Sequence, residues 1–142
     1  MLIEEALFSL LGQSSGVTSI VGTRIYAVTM PQLEKGSASY PALVFGLEAR
    51  ERRQTHNGPT SLVQSSFTLS CLGAGYLETK NLADQVRRAV NGNAAGLKAL
   101  YDGDVKGVFV ENENDEYVFD EVESLSLYHI PIALVIQHDE QE

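Results

Sequence analysis

Paired cysteines, long apolar runs and, over the last quarter, every lysine and arginine are missing from this 142-residue chain. Cys71 is the only cysteine, so an intrachain disulfide is impossible and a thiolate zinc site is not expected. No apolar stretch approaches the roughly 18 residues of a membrane span, so no membrane partner is expected. The start, Met1-Leu2-Ile3-Glu4-Glu5, is acidic and lacks the basic segment of a signal peptide. The expected setting is a reducing cytoplasm. Internal repeats and low-complexity blocks are absent too. What remains is 44% hydrophobic and 20% charged, the composition of an ordinary globular chain. Its length predicts one domain over residues 1–142, large enough to fold without staples.

The missing basic residues leave a lopsided charge. Residues 1–107 hold all ten Lys and Arg with nine acids, a net of +1, whereas residues 108–142 hold ten acids, a net of −10. An overall −9 argues against a dedicated binder of phosphate backbones. The acidic quarter is not a solvated tail, because Tyr128-His129-Ile130-Pro131-Ile132-Ala133-Leu134-Val135-Ile136 is too apolar to stay in water.

Periodicity predicts the elements. Leu2, Ala6, Leu7, Leu10 and Leu11 recur at helical spacing up to Gly12, and Val17, Ile20 and Val21 form a second short turn between a Ser15 cap and Gly22. A short strand at 24–26 and a loop over 29–41 follow. Residues 42–53 and 60–72 alternate around the turn residues Gln54–Pro59 and predict a long antiparallel hairpin. Residues 77–91 predict a helix with Leu82, Ala83, Val86, Ala89 and Val90 inward and an Asp84–Arg88 pair outward. One more turn is expected around Leu97 and Leu100. Strands at 105–111 and 117–119 are expected around an acidic turn, Asn112–Glu116, followed by a long strand over 124–137. Pro131 inside that strand cannot donate to a ladder and predicts an edge position or a bulge. The fold class is α+β: a mostly antiparallel sheet with a long β-hairpin, packed against two or three helices.

Motifs with chemical meaning do not hold up in context. Gly12-Gln13-Ser14-Ser15-Gly16 matches a nucleophile elbow, which needs a strand before the serine; here a helix precedes it. Gly73-Ala74-Gly75 sits where a dinucleotide loop would, but the third glycine position is Glu78, whose carboxylate repels a pyrophosphate. Asn112–Glu123 has a calcium loop's length with Tyr117 in place of its central glycine. His129 and His138 are an odd number of residues apart, hence on opposite faces of a regular strand, and His56 falls in a turn. Cys71 continues the apolar face of its strand and reads as a buried thiol. No catalytic residue, metal ligand or cofactor is predicted. The charged end of the first hairpin strand, Arg50-Glu51-Arg52-Arg53, must project into water or into a partner, so Arg50, Arg52, Arg53, His56 and Asn57 are candidate subunit-interface residues. Glu111, Glu113, Asp115 and Glu116 are candidates for an acidic channel or rim.

Four stretches, taken together, carry a resemblance. They are the amphipathic start leading to Val17 and Ile20-Val21-Gly22-Thr23-Arg24-Ile25-Tyr26; Pro31-Gln32 with Tyr40-Pro41-Ala42-Leu43-Val44-Phe45; the Asn57-Gly58 turn with its alternating strand; and, after Tyr76, Leu82-Ala83-Asp84-Gln85-Val86-Arg87-Arg88-Ala89-Val90. In order, spacing and total length, over roughly residues 2–138, the chain resembles the tail-completion and tail-terminator proteins of long-tailed bacteriophages, also called tail-to-head joining proteins. The resemblance implies a non-enzymatic virion protein that caps the head-proximal end of the tail tube. It would do so as a ring of its own copies, a hexamer, touching the tail tube protein and the head connector protein. DNA would pass without specific binding, after assembly in the host cytoplasm. The acidic segment 111–123 is longer and more charged than that pattern, which leaves one ring face or the lumen open. Two other readings stand beside it: a head-closure or other connector protein, and a small non-viral α+β ligand-binding domain or enzyme. The last would show a polar pocket with converging titratable groups.

Overall fold

A computed structural model describes residues 3–22, 24–27, 41–55, 58–73, 75–101, 105–120 and 125–139, with the side chains of 52–62 and 117–127 outside the description. The elements are α1 (Ile3–Gln13), α2 (Ser15–Val21), β1 (Ile25–Ala27), β2 (Ala42–Thr55), β3 (Gly58–Gly73), α3 (Tyr76–Val90), α4 (Ala94–Leu100), β4 (Val105–Glu113), β5 (Glu116–Asp120) and β6 (Leu125–Asp139). The sheet order is β1-β2-β3-β6-β4, with β5 also on β6. Among the described residues only β1–β2 pairs in parallel. The α+β class and the long hairpin are as the sequence predicts.

Local chemistry sets most element ends. Glu4 and Glu5 occupy the first turn of α1, where carboxylates offset the exposed N–H groups. Gly12 does not stop this helix, which runs on to Gln13; Gly12 has open space around it, so a helical conformation there costs only backbone entropy. The cap of α2 is Ser14 rather than Ser15, and no side-chain hydrogen bond is made there. Gly22 ends α2 at φ +60°, a region favouring glycine. Gly73 and the start of α3 meet closely: a Cβ at Gly73 would lie 2.2 Å from Thr79 Oγ1. Thr79, fully buried, donates that hydroxyl to the Gly75 carbonyl at 2.7 Å. Glycine at 73 therefore lets the strand end lie close under the start of the helix. Asn93 caps α4, accepting from the Gly96 N–H at 3.1 Å and donating to the Ala89 carbonyl at 2.9 Å.

The core lies between the helices and one sheet face. Alternation puts Phe67, Leu69 and Cys71 of β3 on that face, paired in register with Leu134, Ile132 and Ile130 of β6. All six are at most 1% exposed. Leu7 and Leu11 of α1, Leu82 and Val86 of α3, and Leu97 of α4 belong to the same cluster. On the opposite face Gln64, Ser66, Thr68 and Ser70 are half-buried.

Two expectations need correction, and one cause underlies both. The acidic segment is not a hairpin turn, and Pro131 is neither on an edge strand nor in a bulge. β6 is central, flanked by β3 on one side and by β4 and β5 end to end on the other. The register is the same before and after the break: Glu113 faces Ile132 and Glu116 faces His129. Asn114 N–H donates to the Pro131 carbonyl at 3.3 Å. The return bond of an antiparallel pair is missing because proline has no N–H. The neighbouring strand is thus interrupted opposite Pro131 while the chain carries straight on. The loop predicted over 29–41 falls, apart from residue 41, outside the described residues.

Asn93→Ala removes a cap bonded in both directions and should destabilise the fold by about 1 kcal/mol, read as a lower urea midpoint at unchanged slope. An unchanged midpoint would show that α4 is held by packing alone.

Candidate functional site

The two ends of the sheet are finished by two-stranded ribbons. Beyond the Leu62–Asp139 pair, β3 is bonded only to β2; beyond the Gly73–Tyr128 pair, β6 is bonded only to β5. Arg52 stands just before the first ribbon and Arg53 opens it; His56 and Asn57 lie outside the described residues. Arg52 is in register with Val63, and the ladder shifts between Arg52 and Gln54.

Arg50, at the root of that ribbon, turns back into its own subunit. Its guanidinium pairs with the Glu4 carboxylate, and its Nε–H donates to Ser65 Oγ at 3.0 Å. Ser65 Oγ lies 2.8 Å from His138 Nε2. His138 Nδ1 is 2.8 Å from the Asp139 carbonyl, which also accepts from the Tyr101 hydroxyl at 2.5 Å. A carbonyl can only accept, so Nδ1 carries the proton. In the neutral ring Nε2 then accepts from the Ser65 hydroxyl. Ser65 is fully buried and His138 is 2% exposed, so this serine–histidine pair has no access for a substrate and works as a polar bracket. The sequence signal was strand parity, which puts Ser65 in line with Val63 and Phe67; the pairing with His138 needs the β3–β6 register.

The acidic candidates divide into two kinds. Asp115, in the gap opposite Pro131, accepts from the Tyr76 hydroxyl at 2.9 Å and from Lys80 at 2.8 Å. Tyr76 also packs edge-on to Tyr128, ring centroids 5.5 Å apart. The acidic break is thereby fastened to the first turn of α3. Lys80, and then Tyr76, hold the Asp115 carboxyl below the usual aspartate range. The hydrogen bond to Asp115 raises both Lys80 and Tyr76. Glu116 pairs with His129 Nδ1 at 3.0 Å. Glu111 and Glu113 are exposed along β4.

Signs of a catalytic cleft are sparse among the described residues. Ser14 lines a hollow of about 300 Å3 with Leu10, Gln13, Arg88, Ala89 and Asn93, with no histidine or carboxylate beside it. A larger groove, between α1 and β2, is apolar apart from Glu4, Glu5 and Ser9. No cluster of three or more His, Cys, Asp or Glu could hold a metal among the described residues. Burial pushes the Cys71 thiol far up, which makes it a poor nucleophile.

Ribbons, an acidic edge and an apolar groove are the exposed features of this α+β fold. The family model described as tail completion protein gp17 matches residues 5–128, and the chain belongs to that family of structural tail proteins. Among solved structures, a chain of the virion of a native gene transfer agent particle is similar in fold. Its TM-score is 0.73 at 17% identity, covering 96% of this chain and 94% of that chain. No curated protein matches the chain.

The lowered Asp115 carboxyl gives a signed expectation. Its contribution is present above the unfolded-state aspartate value and is lost as pH falls through the lower folded-state value. Asp115 should therefore titrate below an ordinary aspartate in a carboxyl-carbon NMR experiment, and Lys80→Met should raise that midpoint. An Asp115 that titrates normally, or ignores Lys80→Met, would contradict the clamp.

Proposed function

We propose that the protein, as a single domain over residues 1–142, forms a ring of its own copies at the head-proximal end of the tail tube, with hexamer the ring number implied by resemblance. The ring ends tube growth and offers a face to the head connector protein. It assembles in the host cytoplasm, uses no cofactor and carries out no catalysis. The observation that carries this reading is the pair of ribbons at opposite ends of one sheet, with opposite charge. A two-stranded ribbon is marginal in water on its own. Beyond Arg50, which is paired with Glu4, and Glu51, the β2 strand adds Arg52 and Arg53 toward the first ribbon, whereas β5 carries Glu116 and Asp120 and the sequence between β5 and β6 adds Glu121 and Glu123. Complementary ends favour a head-to-tail contact, and such a contact closes into a ring when its rotation allows.

Arg52→Glu with Arg53→Glu should lower ring formation and particle yield about tenfold or more, with far-UV circular dichroism and melting unchanged. Reversing Asp120 and Glu123 to lysine in the same chain should restore part of the loss. Normal rings and particle yield in the arginine double variant would overturn the ribbon contact.

The exposed Glu111 and Glu113 are proposed to face the channel. Lysine or arginine on that wall would gain affinity for the duplex by releasing counterions, whereas carboxylates let it slide. Glu111→Lys with Glu113→Lys should slow DNA ejection from particles of normal shape. Ejection at the normal rate would place these residues on an outer rim.

A further inference from the structure

One buried titratable side chain takes no part in the contacts proposed for the ribbons. His138 is 2% exposed near the end of β6, where the β2–β3 ribbon begins. Its ring is bonded at both nitrogens. Nδ1–H donates to the Asp139 carbonyl, and Nε2 accepts from the Ser65 hydroxyl. The Ser65 oxygen in turn accepts from Arg50 Nε–H. Donation therefore runs one way, from Arg50 through Ser65 to a neutral imidazole.

A proton added to Nε2 reverses the last step. The ring then donates where it had accepted, and the Ser65 proton loses its acceptor in a fully buried site, which is costly. The same proton puts a second cation on the oxygen that Arg50 already uses, and burial penalises the charged ring further. The groups around the ring add no compensating anion. Val63 of β3 and Val105 of β4 stand opposite His138 in the ladder. Arg52, in register with Val63 on β2, is another cation. Tyr101, at the end of α4, packs edge-on with ring centroids 5.6 Å apart, and its hydroxyl donates to the same Asp139 carbonyl. Glu4 of α1 is paired with Arg50. The Asp139 side chain alternates to the other face of the sheet. Glu5 of α1, Glu51 of β2, Lys98 of α4 and Lys106 of β4 are exposed to water.

We propose that His138 is an acid-sensitive latch at the root of the ribbon. Neutral, it holds Ser65 and through it Arg50; protonated, it releases the hold of Arg50, and of α1 behind it, on β3 and β6. The inference concerns the subunit and stands whether or not copies form a ring. A histidine of the unfolded chain titrates near 6.5, and the folded ring stays neutral below that. The latch therefore contributes fully above about 6.5, and its contribution is lost as pH falls.

Ring-nitrogen NMR of the full chain reads the latch directly. The neutral ring should carry its proton on Nδ1, with a midpoint at least about one pH unit below 6.5. Arg50→Met should raise that midpoint by removing the neighbouring cation. His138→Gln keeps an acceptor for Ser65 and cannot titrate. By urea unfolding, the folding equilibrium constant of the native chain should fall about tenfold more between pH 7.5 and 5 than that of His138→Gln. Other titrating groups are common to both chains and cancel. A folded His138 with a midpoint at or above about 6.5, or with its neutral proton on Nε2, would overturn the latch. Equal pH dependence in the two chains, or a midpoint indifferent to Arg50→Met, would overturn it as well.

Discussion

Strand length exceeding helix cover is the constraint from which the rest of the architecture follows. β3 has 16 residues and β6 has 15, about 50 Å each at strand rise. α3, the longest helix described, has 15 residues, or about 22 Å. Apolar cover holds along the middle of the sheet and cannot reach both ends. Each end is closed by polar chemistry instead. At the arginine-rich end the bracket Glu4–Arg50–Ser65–His138 ties α1, β2, β3 and β6 together. At the acidic end Tyr76 and Lys80 of α3 hold Asp115 in the break of the edge strand. The first bracket is buried at Ser65 and His138 and half-buried at Glu4 and Arg50, and the second is open to water. The ribbons start where these brackets stop, so their roots are fixed and their tips extend past the shared core.

Much of this was legible in the sequence, and the parts that were not share a physical character. α3 was readable because its stripe has a clean 3.6-residue period, and the β2–β3 hairpin because its alternation flanks Asn57-Gly58. The acidic segment was misread because Asn-rich, charged residues carry turn chemistry, whereas its path is set by Pro131 on the strand alongside. That is a non-local effect, invisible without the β5–β6 register. The Ser65–His138 pair was hidden for the same reason: parity marks both as inward, but only the pairing of two strands far apart in sequence brings them within hydrogen-bond distance. Arg50 was readable as a charged strand end, and its inward turn depends on Glu4 at the other end of the chain segment that precedes it.

A structural tail protein needs exposed features that pack poorly in the isolated subunit and pack well in the particle. Two ribbons, an acidic edge and an apolar groove at the rim of the core are exposed features of that kind. The buried positions explain the folding of the subunit, and half-exposed Phe8 still packs against Phe45. Membership of the tail completion family makes the chain a structural tail protein.

Electron microscopy of tails assembled with and without the protein tests the central claim most directly. The account predicts that tails lacking it reach irregular lengths and carry no heads, and that tails containing it end in a ring at a uniform length and join heads. Tails of uniform length joined to heads in its absence would contradict the account.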